Sequence, residues 1–158
     1  MHRFYRAVVR DLDGLLGLNP LVYQIRVVAN CCNTSIPVLD LSECTRLERL
    51  IIANNSFKCV TEVKLIGLEE LGGVFIGPNC FVNKSNHETT GCFYLKNCPK
   101  LKELRMGRYS FSDYSVCEIE NVDALEVIEM GDVHYWSGCF YRSSLELKST
   151  QRVKVAND

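Results

Sequence analysis

One recurring pattern constrains the fold of this chain more than any other feature. In residues 47–57, apolar residues at Leu50 and Ile52 are followed by Asn55 and closed by Phe57. Further copies occupy residues 71–81, 101–111 and 125–135, and a copy without the lead-in spacing occupies residues 25–32. A spacing that returns at regular intervals indicates stacked structural units, each of which buries its apolar residues against its neighbours.

Each unit contains two short segments in which apolar and polar residues alternate. The apolar positions of the first segment are Leu39/Leu41, Val63/Leu65, Phe93/Leu95, Cys117/Ile119 and Leu145/Leu147. Those of the second are Ile25/Val27, Leu50/Ile52, Val74/Ile76, Leu104/Met106 and Ile128/Met130. A period of two is typical of strands with one face in water. The sequence therefore predicts a mostly parallel β structure with two facing parallel sheets.

The spacing of corresponding residues gives the length of the unit. Leu41 and Leu65 are 24 residues apart, as are Leu95 and Ile119, whereas the other two intervals are 30 and 28 residues. We therefore expect about five units of ~24 residues with two insertions. The longer insertion, at residues 82–91, is polar and should loop out at little cost.

The pattern resembles that of the leucine-rich repeat family, LxxLxLxxNxL, from about Leu15 to the C-terminus. The resemblance implies a right-handed leucine-rich-repeat solenoid. The segments Phe75-Ile76-Gly77 and Arg105-Met106-Gly107 further resemble the BspA-like, surface-antigen-type subgroup.

Residues 1–20 lie outside the repeat pattern. Their apolar residues recur at helical spacing, which predicts a short amphipathic helix that caps a solenoid of residues 21–158. Residues 153–158 begin another strand and then stop. We therefore expect a longer array, whose uncovered C-terminal edge would promote self-association.

Charge and hydropathy restrict the partners. The chain has 18 basic and 19 acidic residues, so electrostatics give no reason to expect nucleic acid. No apolar run is long enough to span a bilayer, and the N-terminal segment lacks the apolar core of a signal peptide. A cytoplasmic protein is expected, or a secreted or surface protein if a signal peptide lies upstream.

Nine cysteines are an odd number, so a closed disulfide framework cannot include them all. Cys44, Cys98 and Cys117 occupy positions that hold aliphatic residues in other units, and Cys32 occupies an aromatic position. We expect these four to be small buried hydrophobic residues.

Two groups of side chains have residue types that can carry chemistry: Cys80, Cys92 and His87 around the insertion, and Asp132, His134 and Cys139 near the C-terminus. The first group has too few ligands for a zinc site but is compatible with a disulfide or with free thiols. The second could mimic a Cys-His nucleophile, yet no phosphate loop or nucleophile elbow accompanies it. We expect no metal, no cofactor and no catalytic residues.

Two columns of side chains should stabilise the stacked units. Asn30, Asn55 and Asn79 occupy the family's asparagine position, where the side chain turns inward to bond the backbone at the bend. The closing aromatic residues should stack as a core column: Phe57, Phe81, Phe111 and Tyr135.

The outward residues of the second strand form the candidate partner-binding row: Arg26, Ile51, Phe75, Arg105 and Glu129, with Lys154 next. Ile51 and Phe75 should form an exposed apolar pair, with Gly73 and Gly77 leaving the ring unshielded. Exposed apolar residues rimmed by charge mark interaction sites. The same row also fits a solvated face with two stray apolar residues.

Three functions therefore compete. The first is a non-enzymatic protein-interaction scaffold that presents a rigid repeat surface to a protein of unknown identity. The second is a secreted or cell-surface adhesin, which the surface-antigen resemblance implies. The third is a Cys/His-dependent enzyme, which needs a pocket around His134 and Cys139.

Overall fold

The computed structural model describes residues 5–34, 36–83, 91–131 and 138–140, together with the backbone of two strands that follow them. Over these residues the chain is strand and turn, with one short helix. The elements are β1 (Tyr5–Val9), α1 (Leu12–Leu16), β2 (Val22–Val27), β3 (Val38–Asp40), β4 (Arg49–Ile52), β5 (Glu62–Ile66), β6 (Gly73–Ile76), β7 (Gly91–Lys96), β8 (Glu103–Met106), β9 (Tyr114–Glu120), β10 (Val127–Met130), β11 (Ser144–Lys148) and β12 (Lys154–Ala156).

The strands form two sheets in which the neighbouring strands are parallel. The seven-stranded sheet has the order β1-β2-β4-β6-β8-β10-β12, and the five-stranded sheet has the order β11-β9-β7-β5-β3. Parallel neighbours need a crossover connection. From β2 onward, the crossover of each sheet contains a strand of the other sheet. The predicted mostly parallel β structure in two sheets is confirmed.

The register of the strands places the inward apolar residues side by side. Leu50 lies opposite Val74 and Val74 opposite Leu104, while Val63 lies opposite Phe93 in the other sheet. Each of these five side chains is at most 2% exposed, and they belong to one continuous core. Full burial of a side chain of this size contributes about 1.5–3 kcal/mol. Stacked apolar layers therefore hold the two sheets together.

The sequence predicts a helical cap over residues 1–20. This prediction is wrong for most of the described residues of that segment. Tyr5–Val9 is a strand that pairs with β2, and its residues alternate between more and less buried positions. The helix is confined to Leu12–Leu16, where the Asp11 carboxylate accepts a hydrogen bond from the Gly14 amide at 2.8 Å. The edge of β2 favours the strand because a paired strand satisfies its backbone groups. Within the described residues, the seven-stranded sheet thus begins with β1.

The asparagine column differs from the prediction. Asn30, Asn55 and Asn79 adopt φ values of 60°, 59° and 60°, the left-handed conformation that asparagine tolerates better than most residues. Asn30 is exposed, and the other two are half-buried. Asparagine is therefore found here for its backbone conformation, and the buried hydrogen-bonding role belongs to the residue that follows it.

Serine or cysteine follows the left-handed residue of each of these bends, which is an asparagine in three of them and Tyr109 or Gly138 in the other two. Ser56 Oγ donates to the Val28 carbonyl at 3.1 Å, and Ser110 Oγ donates to the Gly77 carbonyl at 2.8 Å. Thiols do the same in other bends: Cys80 donates to the Ala53 carbonyl and Cys139 to the Gly107 carbonyl, both at 3.2 Å. We call these four residues, with Cys31, the hydroxyl–thiol ladder. It links each bend to the strand end of the preceding unit.

The aromatic column is present in the described core. The rings of Phe57 and Phe81 stack with centroids 5.3 Å apart, and those of Phe81 and Phe111 with centroids 4.8 Å apart. Phe140 continues the stack at 5.1 Å from Phe111, whereas Tyr135 lies outside the described residues. Phe57, Phe81 and Phe111 also have positive φ, which costs about 1–3 kcal/mol for such residues. Burial and stacking of the rings offset that cost.

Candidate functional site

The outer face of the seven-stranded sheet carries the predicted partner-binding row. Arg26 lies opposite Ile51, Ile51 opposite Phe75, Phe75 opposite Arg105, and Arg105 opposite Glu129. The residues that flank them in each strand point into the core, so the row faces outward. The next position is Ala156, and Lys154 instead lies opposite Val127. The assignment of Lys154 to the row was therefore wrong by two residues.

A second row runs beside the first, and sequence reasoning missed it. Two residues earlier in each strand, register aligns Arg6, Gln24, Arg49, Gly73, Glu103 and Val127. The first row also gains Val8, opposite Arg26 and 51% exposed. The period-two alternation of the sequence could have predicted both the second row and Val8, because residues two apart in a strand share a face.

Phe75 is half-buried, and its ring lies against the sheet. A side-chain carbon added to Gly73 would lie 2.6 Å from ring atom Cε2, so the absence of a side chain at Gly73 makes room for the ring. The Arg49 guanidinium carbon lies 4.9 Å from the ring centroid, close enough for a cation–π interaction. The expectation that the two glycines leave this ring unshielded is therefore wrong at Gly73. Ile51, also half-buried, continues the apolar surface on the next strand.

Arg105 is held between two carboxylates. Its Nε lies 2.9 Å from Glu103 and its Nη1 lies 2.6 Å from Glu129. The hydrogen bond to Glu103, followed by the charge of Glu129, raises the pKa of the Arg105 guanidinium. Together these groups form an intramolecular charge network at the β8 and β10 end of the face.

A shallow depression of about 390 Å³ opens between the first row and the bends that follow the strands. Ile51, Phe75 and Arg105 line one side, and Gly77 and Gly107 form part of the other. A side-chain carbon on Gly77 would lie 2.7 Å from the backbone nitrogen of Asn54. Adjacent units therefore approach too closely there for a larger residue.

The structure places Cys80 and Cys92 of the first chemical group in different parts of the fold. The Cys80 thiol is fully buried as part of the hydroxyl–thiol ladder, and burial raises its pKa to about 11. Cys92 instead occupies the row of Glu62 on the five-stranded sheet and is half-buried. None of the nine cysteines forms a disulfide, and within the described ranges no three His, Cys, Asp or Glu residues cluster as a metal site. His87 lies outside these ranges.

The second chemical group is only partly described. Cys139 donates its thiol hydrogen to the Gly107 carbonyl at 3.2 Å, so it occupies a ladder position. Asp132 and His134 lie outside the described residues.

The four cysteines that the sequence assigns to the core are buried. Cys44, Cys98 and Cys117 are buried as predicted, and Cys32 is buried where other units have an aromatic ring.

Comparison of the chain with protein-family models, with curated proteins and with solved structures finds no match. The class of protein therefore follows from the architecture alone: a repeat-like, mostly parallel β protein of two sheets. Its only described helix has five residues, too few to cross a membrane.

Proposed function

We propose that this protein is a non-enzymatic interaction scaffold of the leucine-rich repeat type, and that the outer face of the seven-stranded sheet binds a protein partner. The observation that carries the proposal is the apolar surface formed by Ile51 and Phe75 between charged residues. Such surfaces are typical of protein-binding sites. Because each side chain stands on a paired strand, little conformational entropy is lost on binding.

The family assignment is supported by the 24-residue offset between paired strands, as between Ile51 and Phe75. About five units and membership of the BspA-like subgroup are part of the same proposal. The ladder of serine and cysteine in place of inward asparagine is a departure from the family pattern.

We also propose a reducing compartment, consistent with a cytoplasmic protein. Cys80 and Cys139 act as hydrogen-bond donors within the ladder, and a thiol keeps that hydrogen only in its reduced form. Intact-mass labelling of the unfolded, unreduced protein should find thiols at all nine cysteines, and a bridged pair would contradict the assignment.

The binding proposal is tested by affinity capture with wild-type protein, Phe75→Glu and Tyr94→Glu. Tyr94 is a matched control because it points outward from the five-stranded sheet, where Lys96 Nζ lies 5.2 Å from its ring centroid. Phe75→Glu should lose captured proteins that Tyr94→Glu retains, while both variants lose about 1 kcal/mol of stability or less.

Equal capture by all three proteins would contradict the proposal. A Phe75→Glu variant that fails to unfold cooperatively would show that the ring is part of the core. In that case Ile51→Glu, on the adjacent strand, provides the second test of the same surface.

A further inference from the structure

The charges on the outer face of the seven-stranded sheet are divided between its two ends. The strands β1, β2 and β4 present Arg6, Arg26 and Arg49 in the two outward rows, without an acidic residue. The strands β8 and β10 present Glu103, Arg105 and Glu129. One end therefore carries three positive charges, the other a net single negative charge, and the Phe75 ring lies between them.

The two ends also differ in how far their charges are neutralised within the chain. Arg105 is paired with both of its neighbouring carboxylates. Among the described residues, no carboxylate lies within ion-pair distance of Arg26 or Arg49, although Glu48 precedes Arg49 at the start of β4. The positive end can therefore attract an anionic group without first breaking an ion pair.

The uncompensated charge is continuous with the apolar surface. Arg26 is the direct neighbour of Ile51, and Arg49 lies over the Phe75 ring. Neighbouring strands stand about 4.8 Å apart, so Arg26 and Phe75 are separated by about 10 Å across the face. An extended peptide advances about 3.3 Å per residue and spans this distance in roughly three residues.

We propose that this face binds an extended acidic peptide segment that crosses the strands. Its apolar anchor side chain rests on Ile51 and Phe75, and a carboxylate two to four positions away pairs with Arg26 or Arg49. The proposal rests on the scaffold function and specifies both the half of the face that is used and the chemistry of the partner. Arg105 and Glu129 then form the rim rather than the centre of the site.

A peptide fits this face better than a nucleic acid. A nucleic acid is bound mainly through many phosphate contacts, whereas the described face offers only three arginines, in a chain of net charge -1, and Arg6 already donates to the Tyr23 hydroxyl. The adjacent Ile51 side chain has no role in phosphate binding, but it suits an aliphatic peptide residue.

The test is a phage-display selection of random linear peptides that bind the wild-type protein. Phage that also bind the Phe75→Glu variant are removed. Enriched peptides are synthesised, and their affinities are measured by fluorescence polarisation for the wild type, Arg26→Glu and Arg46→Glu. Arg46 is an exposed arginine in the turn before β4, outside both rows. Arg46→Glu therefore changes the net charge by as much as Arg26→Glu does, but away from the proposed site. Circular dichroism confirms the fold of each variant.

We expect the enriched peptides to carry acidic residues beside an apolar residue. Arg26→Glu should weaken their binding about fivefold or more, Arg46→Glu by less than about twofold, and added salt should weaken binding further. Substitution of the peptide carboxylates by amides should remove the difference in peptide affinity between Arg26→Glu and the wild type.

Other outcomes would overturn the proposal in distinguishable ways. Enriched peptides that require Phe75 but are neutral or basic would refute the acidic partner and leave the scaffold function intact. Failure to enrich any peptide that depends on Phe75 would overturn both. Equal competition by a random single-stranded oligonucleotide would show a general polyanion surface and exclude an acidic peptide as the specific partner.

Discussion

Replacement of Ser110 by alanine tests the hydroxyl–thiol ladder directly. The Ser110 side chain is fully buried, donates to the Gly77 carbonyl at 2.8 Å and accepts from the Cys80 amide at 3.4 Å. The alanine variant leaves the part-buried Gly77 carbonyl and the buried Cys80 amide without this partner. Loss of a partner from a buried polar group costs about 1–3 kcal/mol, and the 2.8 Å bond to Gly77 should dominate. We therefore expect Ser110→Ala to lose roughly 1–3 kcal/mol of stability.

The informative variant is Ser110→Cys, because cysteine fills the same ladder position at Cys80 and Cys139. A thiol can donate to the Gly77 carbonyl, so this variant should recover part of the loss. Urea unfolding under reducing conditions, followed by circular dichroism, gives the free energies. Ser112→Ala, at a half-buried position in the same bend, is the control and should change stability by less than about 0.5 kcal/mol. A Ser110→Ala variant as stable as Ser112→Ala would refute the ladder.

Two further predictions concern the core. Leu104 is fully buried, so Leu104→Ala should lose about 2–5 kcal/mol, and a urea midpoint equal to that of Lys102→Ala, an exposed neighbour, would show that the register is wrong. Burial raises the pKa of the Cys117 thiol from 9.0 to about 12, so the folded state keeps a proton that the unfolded state loses above pH 9. This contribution is fully present below pH 9 and falls by up to about 1.4 kcal/mol per pH unit between pH 9 and 12. Cys117→Val should make the measured alkaline loss of stability shallower, and an unchanged slope would contradict the assignment.

The strand pairs could be predicted from sequence because their pattern is local. Leu50 and Ile52 alternate with Ile51, and the same alternation returns at Val74 and Ile76. Alternation fixes which side chains face the core, and the common 24-residue spacing fixes which residues lie opposite each other. The registers of β4 and β6 agree with both inferences.

Local patterns misled where two structures fit the same residues. Tyr5–Val9 fits helical spacing over a long window and strand alternation over a short one. Pairing with the edge of β2 favours the strand, and β2 begins at Val22, outside the N-terminal segment in which the helical spacing was found. At the bends, the repeat spacing located Asn55 and Ser56 correctly but did not reveal which of the two turns inward. That depends on the left-handed backbone at Asn55, which directs Ser56 to the Val28 carbonyl of the preceding unit.

The sequence by itself determined that Phe75 points out of the core, because Val74 and Ile76 flank it in a strand. Only the tertiary structure decided what surrounds the ring. Arg49 is 26 residues away in the chain yet lies over the ring, because parallel pairing places β4 beside β6. In a protein built from stacked strands, each side chain acquires its lateral neighbours from strands about one unit away. The alternation within a strand therefore specifies a residue's face, whereas its contacts on that face depend on the register between strands.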